Sequence, residues 1–427
     1  MGILVIGNET EEAWQYAERF INDGSPSRRS FTDGPDPAVS PRFAPAQVWL
    51  PCLHLAAVED SFELGSYSLR DDQGRAILPL HPSIGPYLNR EWLRAFVQTQ
   101  TSISAVPHAS GRTFSLVRPG SEVGSVKVSF PSRLGRYPAP LDKGKVISAL
   151  AVNKLLSATR GIRRGSGGGE LEIAWFPEIG GAGADILRDP RLQGQAACLL
   201  RGRHVETNGE DGVIVDIIPG FSLWGSDFLQ DSKEGLALAA IAGEAGSASA
   251  LSEAVWTRVV GPLIRSVMAL GLDYGLLPEP HAQNVLFAKV RREAAPDEWI
   301  VVWRDMLGFY VDTAWRREVG CWPLRQGVVK RTLATHHEAV QVRSAMIDHM
   351  LYEYLIMPIL ASARQLGADD LELLRRAREL VSDRARAARD YLPADGWFHR
   401  SLDLPLPGQH LRAAARSGSS MLRTIGQ

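Results

Sequence analysis

Cysteine is nearly absent from this chain: three residues in 427, Cys52, Cys198 and Cys321, stand far apart and in no paired spacing. That excludes a disulfide framework and a thiolate zinc site, and a reducing compartment fits it best. An excess of either charge is also missing, since 47 basic and 48 acidic residues leave a formal charge of −1. Nothing in that balance draws the chain toward nucleic acid or an anionic membrane, although local basic patches are not excluded. No uninterrupted apolar stretch is long enough to span a bilayer, and "MGILVIGNETEE" lacks a basic leader, an apolar core and a small-residue cleavage site. The expectation is a cytoplasmic protein that partners neither nucleic acid nor membrane. The glycine run at 165 to 169 lacks the GK[ST] ending of a P-loop and reads as a flexible connection.

At 45% hydrophobic content the chain can bury a large core divided into two or three lobes. "GILVIG" reads as a buried strand, and the Pro-, Ser- and Gly-rich stretch from Asp23 to Pro45 as a loop. Short β-type runs follow in "QVWLPCLHLAAV", "RTFSLV" and "GSVKVSF", then helical spacing in "DKGKVISALAVNKLLSAT" and a strand in "ELEIAWF". "SVMALGLDYG" ends another helix with Gly275 near its C-cap. After Thr332 the periodicity is helical almost throughout. The basic helix around Arg375 to Arg389 reads as an exposed, charge-laced face, and adjacent His336 and His337 point about 100° apart on a helix, poor geometry for one metal.

The polar cluster "EPHAQN", residues 279 to 284, stands immediately before an apolar run. "NVLFAKV" and "WIVVWRD", joined by the polar turn "RREAAPDE", pair as a hairpin that brings Asn284 near Asp305. An amide oxygen and a carboxylate facing one space suit a magnesium ion that carries nucleotide phosphates, with His281 and Gln283 placed for phosphate or an acyl oxygen. The alternative is that His281 and Asn284 merely cap a turn.

Six stretches in order resemble the siderophore synthetases that work independently of nonribosomal peptide synthetases, typified by the aerobactin synthetases. These are "LPLHPSIGPYLNREW", "PHASGRTFSL", "VKVSF", "AACLLRGR", "EPHAQN" and "WRDMLG", followed by the histidine-containing helices after Thr335, over roughly residues 75 to 360. The resemblance implies an α+β, multi-lobed, hand-like fold with a central mixed or antiparallel sheet and a helical C-terminal lobe. The regions expected are 1–74, partly loop; 75–200, an ATP-binding lobe; and 201–427, carrying the hairpin and helices. It also implies an ATP- and magnesium-dependent ligase that adenylates a carboxylic acid and condenses it with an amine or alcohol, with homodimerisation left open. Ser110, Arg112, Thr113 and Lys127 then match positions that hold ATP phosphates. Gln283, Asn284 and Asp305 complete the nucleotide side, with Asn284 and Asp305 on the metal. His281 and Gln283 face the acid, Glu279 holds the His281 imidazole in one tautomer if within reach, and Arg112, Glu279 and His281 form the catalytic set.

Two departures stand out. The family's early motif of two His-Pro pairs and a lysine is missing, the only His-Pro being His81-Pro82. Arg133 and Arg136, the substrate-arginine candidates, come earlier than the family's arginine. Two alternatives remain: a kinase-like phosphotransferase, in which Glu279 replaces the usual aspartate base, and a non-catalytic binding protein derived from the synthetase fold.

Overall fold

The computed structural model describes residues 2–21, 47–58, 60–98, 101–117, 121–134, 137–159, 172–187, 195–226, 236–293, 295–321, 328–386 and 391. The Asp23–Pro45 stretch and the 165–169 glycine run lie outside them, as does Arg136; Arg133 is described in its backbone only.

Two β-structures dominate. The first is a closed six-stranded barrel, ordered Gly2–Ile6, Val205–Thr207, Ala174–Trp175, Ala295–Trp303, Val285–Arg292 and Gly212–Pro219. The second is an eight-stranded sheet, antiparallel throughout, ordered Phe62–Gly65, Glu178–Asp185, Gln195–Gly202, Val123–Val128, Thr113–Leu116, Ser102–Pro107, Val48–His54 and Ile77–Pro79. The fold is therefore α+β, as expected.

Alternation along the strands explains the barrel. Leu4 and Ile6 point inward with Ile214, Leu286, Ala288, Val290, Ile300 and Val302, whereas Ile3 and Val5 remain exposed. "GILVIG" is thus a half-buried strand, not the fully buried one its continuous apolar run suggested. Helix Asn8–Phe20 covers the barrel and inserts Trp14 into the same core, stacked on Phe176 at 5.1 Å between centroids.

Helix Lys143–Ala158 packs Val146, Ala149, Val152 and Leu156 on one face of the eight-stranded sheet. Its close approach requires Gly181, where a Cβ would lie 2.6 Å from Val146 Cγ1 and 2.7 Å from the Cys198 carbonyl oxygen. Helix Gly261–Tyr274 ends at Gly275 in the left-handed region, φ 59°. The helical run Ala248–Tyr274 is long and apolar enough, by length and composition, to cross a membrane, but most of its apolar window is buried inside the protein, so the run acts as a core helix.

C-terminal helicity begins at a Thr335–Glu338 capping box and continues to Gln365. Its middle, Ala345–Ile356, is wound more loosely and stops just before Pro358, which has no N–H to donate. Helix Asp370–Arg386 then packs Leu373, Ala377 and Val381 into the main core and lays Arg375 between Glu372 and Glu379 on its exposed face.

Candidate functional site

A cavity of about 250 Å³ opens where the eight-stranded sheet meets the mouth of the barrel. Its first wall is the loop between strands Ser102–Pro107 and Thr113–Leu116. Gly111 turns that loop at φ 68°, a conformation any side chain would strain. The Ser110 hydroxyl oxygen accepts the Thr113 N–H at 3.0 Å. His81, fully buried, braces the turn from behind. Its Nδ1 accepts the Ser83 N–H at 3.1 Å, so Nε2 carries the proton and donates to the Gly111 carbonyl at 2.9 Å. Ser110, Arg112 and Thr113 therefore reach the cavity from a preformed loop. Lys127 stands opposite Thr113 in the strand register and enters the same space.

The second wall is the hairpin. Val285 pairs with Trp303, which places Asn284 beside Arg304, and the Arg304 N–H donates to the Asn284 carbonyl at 3.0 Å. Asp305 follows at φ 68°, an uncommon left-handed conformation that Asp tolerates better than most residues. The turn aims its carboxylate at the cavity, where Oδ2 accepts from Lys127 Nζ at 2.5 Å. Oδ1 is buried with no hydrogen-bond partner.

The 279–284 loop caps itself and lines the cavity at once. The Asn284 N–H donates to the His281 carbonyl at 2.9 Å, and Asn284 Nδ2 donates to the Glu279 carbonyl at 3.3 Å. His281 Nδ1 accepts the Gln283 N–H at 3.2 Å, leaving the neutral ring's proton on Nε2. That backbone group, rather than the Glu279 carboxylate, is the partner that selects the tautomer. Glu279 Oε2 instead lies 3.5 Å from Arg331 Nη1.

Positive charge exceeds negative in the lining: Arg112, Lys127, Arg201, Arg304 and Arg331 against Glu279 and Asp305. Burial pushes the Lys127 ammonium down to about 8, against the opposing pull of Asp305. Burial works against ionisation of Asp305, but Lys127 and Arg201 outweigh it and hold the carboxyl below its usual range. Burial also lowers His281, despite Glu279 and Asp305, so the ring is neutral at pH 7.

The donor set fits a hard cation. Asp305 Oδ1 is a buried oxygen lacking a partner, and the Asn284 amide nitrogen is already engaged, so its oxygen is the group it offers as an acceptor. No preformed cluster of three or more His, Cys, Asp or Glu exists among the described residues, so a bound ion would complete its shell with ligand oxygens and water.

All seven expected nucleotide-side residues, together with Glu279 and His281, line this one cavity. The side chains of Arg133 and Arg136 lie outside the described residues, and His336 and His337 sit on an exposed helix start. Arg201, Arg304, His108 and Arg331 also line it, and the sequence alone does not single them out. Arg201 and Arg304 do stand inside "AACLLRGR" and "WRDMLG", but their inward direction follows from partners distant in sequence: Glu178 at 3.2 Å for Arg201, Glu18 for Arg304.

No family model and no curated protein matches the chain. Solved structures do, at the level of the fold. The petrobactin biosynthesis protein AsbB of Bacillus anthracis superposes with a TM-score of 0.55 at 14% identity, over 81% of this chain and 61% of its own. Aerobactin synthetase IucC from a hypervirulent pathotype of Klebsiella pneumoniae gives 0.53 at 15% identity, over 82% and 64%. ATP-bound aerobactin synthetase IucA from the same kind of pathotype gives 0.54 at 17% identity, over 88% and 71%. The chain shares their fold and spans under two thirds of the length of the first two.

Proposed function

We propose that this protein is an ATP-dependent ligase that activates a carboxylic acid as an acyl adenylate and passes the acyl group to an amine or hydroxyl, in a siderophore-like or other secondary-metabolite pathway. One arrangement carries the reading. A donor-rich turn and Lys127 on the sheet face the Glu279–Asn284 loop and Asp305 across a single cation-lined cavity, in a fold shared with an ATP-bound synthetase.

In the first half-reaction a carboxylate oxygen of the acid attacks the α-phosphorus and pyrophosphate leaves. In the second the nucleophile attacks the acyl carbon and AMP leaves. Negative charge moves outward in the first step and must be met by fixed donors. Arg112 and Lys127 supply cations, and the Ser110 hydroxyl, whose oxygen already holds the loop, keeps its proton to donate. Magnesium, held through Asp305 and Asn284, would add neutralising charge at the phosphates. His281 is neutral with its proton on Nε2, so in this state it acts as a donor toward an acyl oxygen rather than as a base.

The test is a screen of carboxylic acids for ATP–pyrophosphate exchange, with and without candidate amines. Acid-dependent exchange, with AMP and pyrophosphate as products, supports the ligase. Formation of ADP would replace it with the phosphotransferase reading, to which a polar loop with Asn284, an apolar strand and a following Asp305 also conform. Failure to bind nucleotide at all would leave a binding protein.

A further inference from the structure

Glu18 is an anomaly of helix Asn8–Phe20: a carboxylate with 0% exposure on a face that otherwise buries Trp14 and Ala17. A buried charge is costly unless it is fully engaged. Here the engagement runs across the candidate site. Oε1 accepts from Trp14 Nε1 at 3.2 Å and from Arg304 Nη1. Oε2 accepts the Ala109 N–H at 3.2 Å and lies 3.9 Å from His108 Nδ1. Arg304 passes the contact on, since its Nε donates to the Gln283 carbonyl at 2.6 Å.

One carboxylate thus touches the start of the 108–113 loop directly and the 279–284 loop through a single guanidinium. Its own helix is held in place by Glu11 on Arg203 at 2.6 Å, by Trp14 on Phe176, and by the Ile21 carbonyl, which accepts from Ser222 Oγ at 2.7 Å. The two β-structures are also tied by the Lys127–Asp305 pair, but a small error in loop separation is expensive at a reacting centre.

We propose that Glu18 is a positioning residue that sets the spacing between the loop carrying Ser110, Arg112 and Thr113 and the loop carrying His281, Gln283 and Asn284. Its consequence for ligands rests on reading the cavity as the nucleotide and acid site; the spacing itself does not. A charge partner for Arg304 alone would need only one oxygen near one guanidinium. The bridge needs a side chain of this length with both oxygens in use.

Glu18→Asp keeps the charge but is one methylene shorter, and Glu18→Gln keeps the length but can accept from Ala109 or Arg304 and not both. Amide hydrogen exchange is followed in the unliganded protein over 108–113, 279–284 and the barrel strand 285–292, with ATP affinity measured by calorimetry. We expect both loops to exchange about tenfold faster together, the strand to be unchanged, and ATP affinity to fall about tenfold, the scale seen when a supporting contact behind a site is lost. Unchanged loops, or a uniform rise that includes the strand, would make Glu18 a plain stabilising charge and overturn the proposal. Loosened loops with unaltered ATP affinity would uphold the spacing and overturn its consequence for the ligand. If the unmutated protein binds no nucleotide, the functional reading fails, while the exchange data still decide whether Glu18 sets the spacing.

Discussion

At the residue scale the site is a set of charges held out of water, and each responds to substitution in its own way. Asp305→Asn removes the anion beside Lys127 and one hard oxygen while preserving shape, so acid-dependent turnover should fall by about a hundredfold or more with little change in melting temperature. Retained turnover that still needs magnesium would remove Asp305 from the metal. Lys127 sets a pH limit. Because burial brings it to about 8, its charge is present at pH 7 and lost as pH rises through that value, so ATP affinity should weaken by up to roughly tenfold per pH unit above it. Calorimetry at pH 7 and 9.5 measures this, and Lys127→Arg should move the alkaline fall upward. The sign for stability is the reverse. A lysine whose folded pKa is depressed makes the fold less stable where the ammonium must stay protonated, and that penalty is relieved as pH rises from about 8 toward 10.5, the ordinary value for a free lysine. Separate roles are expected within one loop: His281→Ala should impair acid-dependent steps far more than ATP binding, and Asn284→Ala the reverse. Equal losses of ATP affinity in both would leave only the turn-capping role that their hydrogen bonds also serve.

At the element scale, placement depends on backbone geometry as much as on chemistry. The hairpin brings Asn284 and Asp305 to one wall of the cavity because its strands terminate together, with Val285 opposite Trp303. This was legible in the sequence, since a hairpin is a local object whose register follows from two apolar runs and a short turn. The sheet is less local. Strand Glu178–Asp185 carries glycine and alanine so that helix Lys143–Ala158 can lie against it, and Gly181→Ala should cost about 1–3 kcal/mol, because its Cβ would meet both a valine methyl and a carbonyl oxygen. Equilibrium denaturation checks this; an unchanged midpoint would mean that the helix can retreat. The 108–113 segment stands out in the sequence only through its resemblance to a family motif, and the His81 brace behind it is not legible there, because its partner is the Gly111 backbone oxygen 30 residues away.

On the scale of the whole molecule, the cavity exists only because two β-structures meet. Lys127 reaches Asp305 across 178 residues, and Glu18 reaches Arg304 across 286. A ligand bound there ties both halves together, so ATP should raise the melting temperature in a concentration-dependent way, by the equivalent of about 2.7 kcal/mol at a hundredfold excess over its dissociation constant. Thermal melts with ATP and with a matched concentration of inorganic phosphate test this; equal shifts for the two would show a simple anion site. The fold shared with IucA, IucC and AsbB accompanies identities of 14–17%, which is why six short motifs in order were a better guide to it than any continuous similarity.

What the sequence by itself determined is therefore local and ordered. The strands flanking the turn, the hairpin after "EPHAQN" and the helical C-terminal stretch follow from periodicity and turn chemistry, and part of the cavity lining, Ser110, Arg112, Thr113, Lys127, Glu279, His281, Gln283, Asn284 and Asp305, follows from the resemblance of the ordered motifs. What only the tertiary structure decided is every contact made at long range: the strand Gly2–Ile6 closing a barrel with Gly212–Pro219, Arg201 turned inward by Glu178, the His281 tautomer chosen by a backbone N–H, and Glu18 standing between two loops. The reason is physical. A side chain's period in a strand or helix is written in its immediate neighbours, but the partner that fixes its direction and charge is whichever group the packed core brings near, and one sequence pattern permits many such partners.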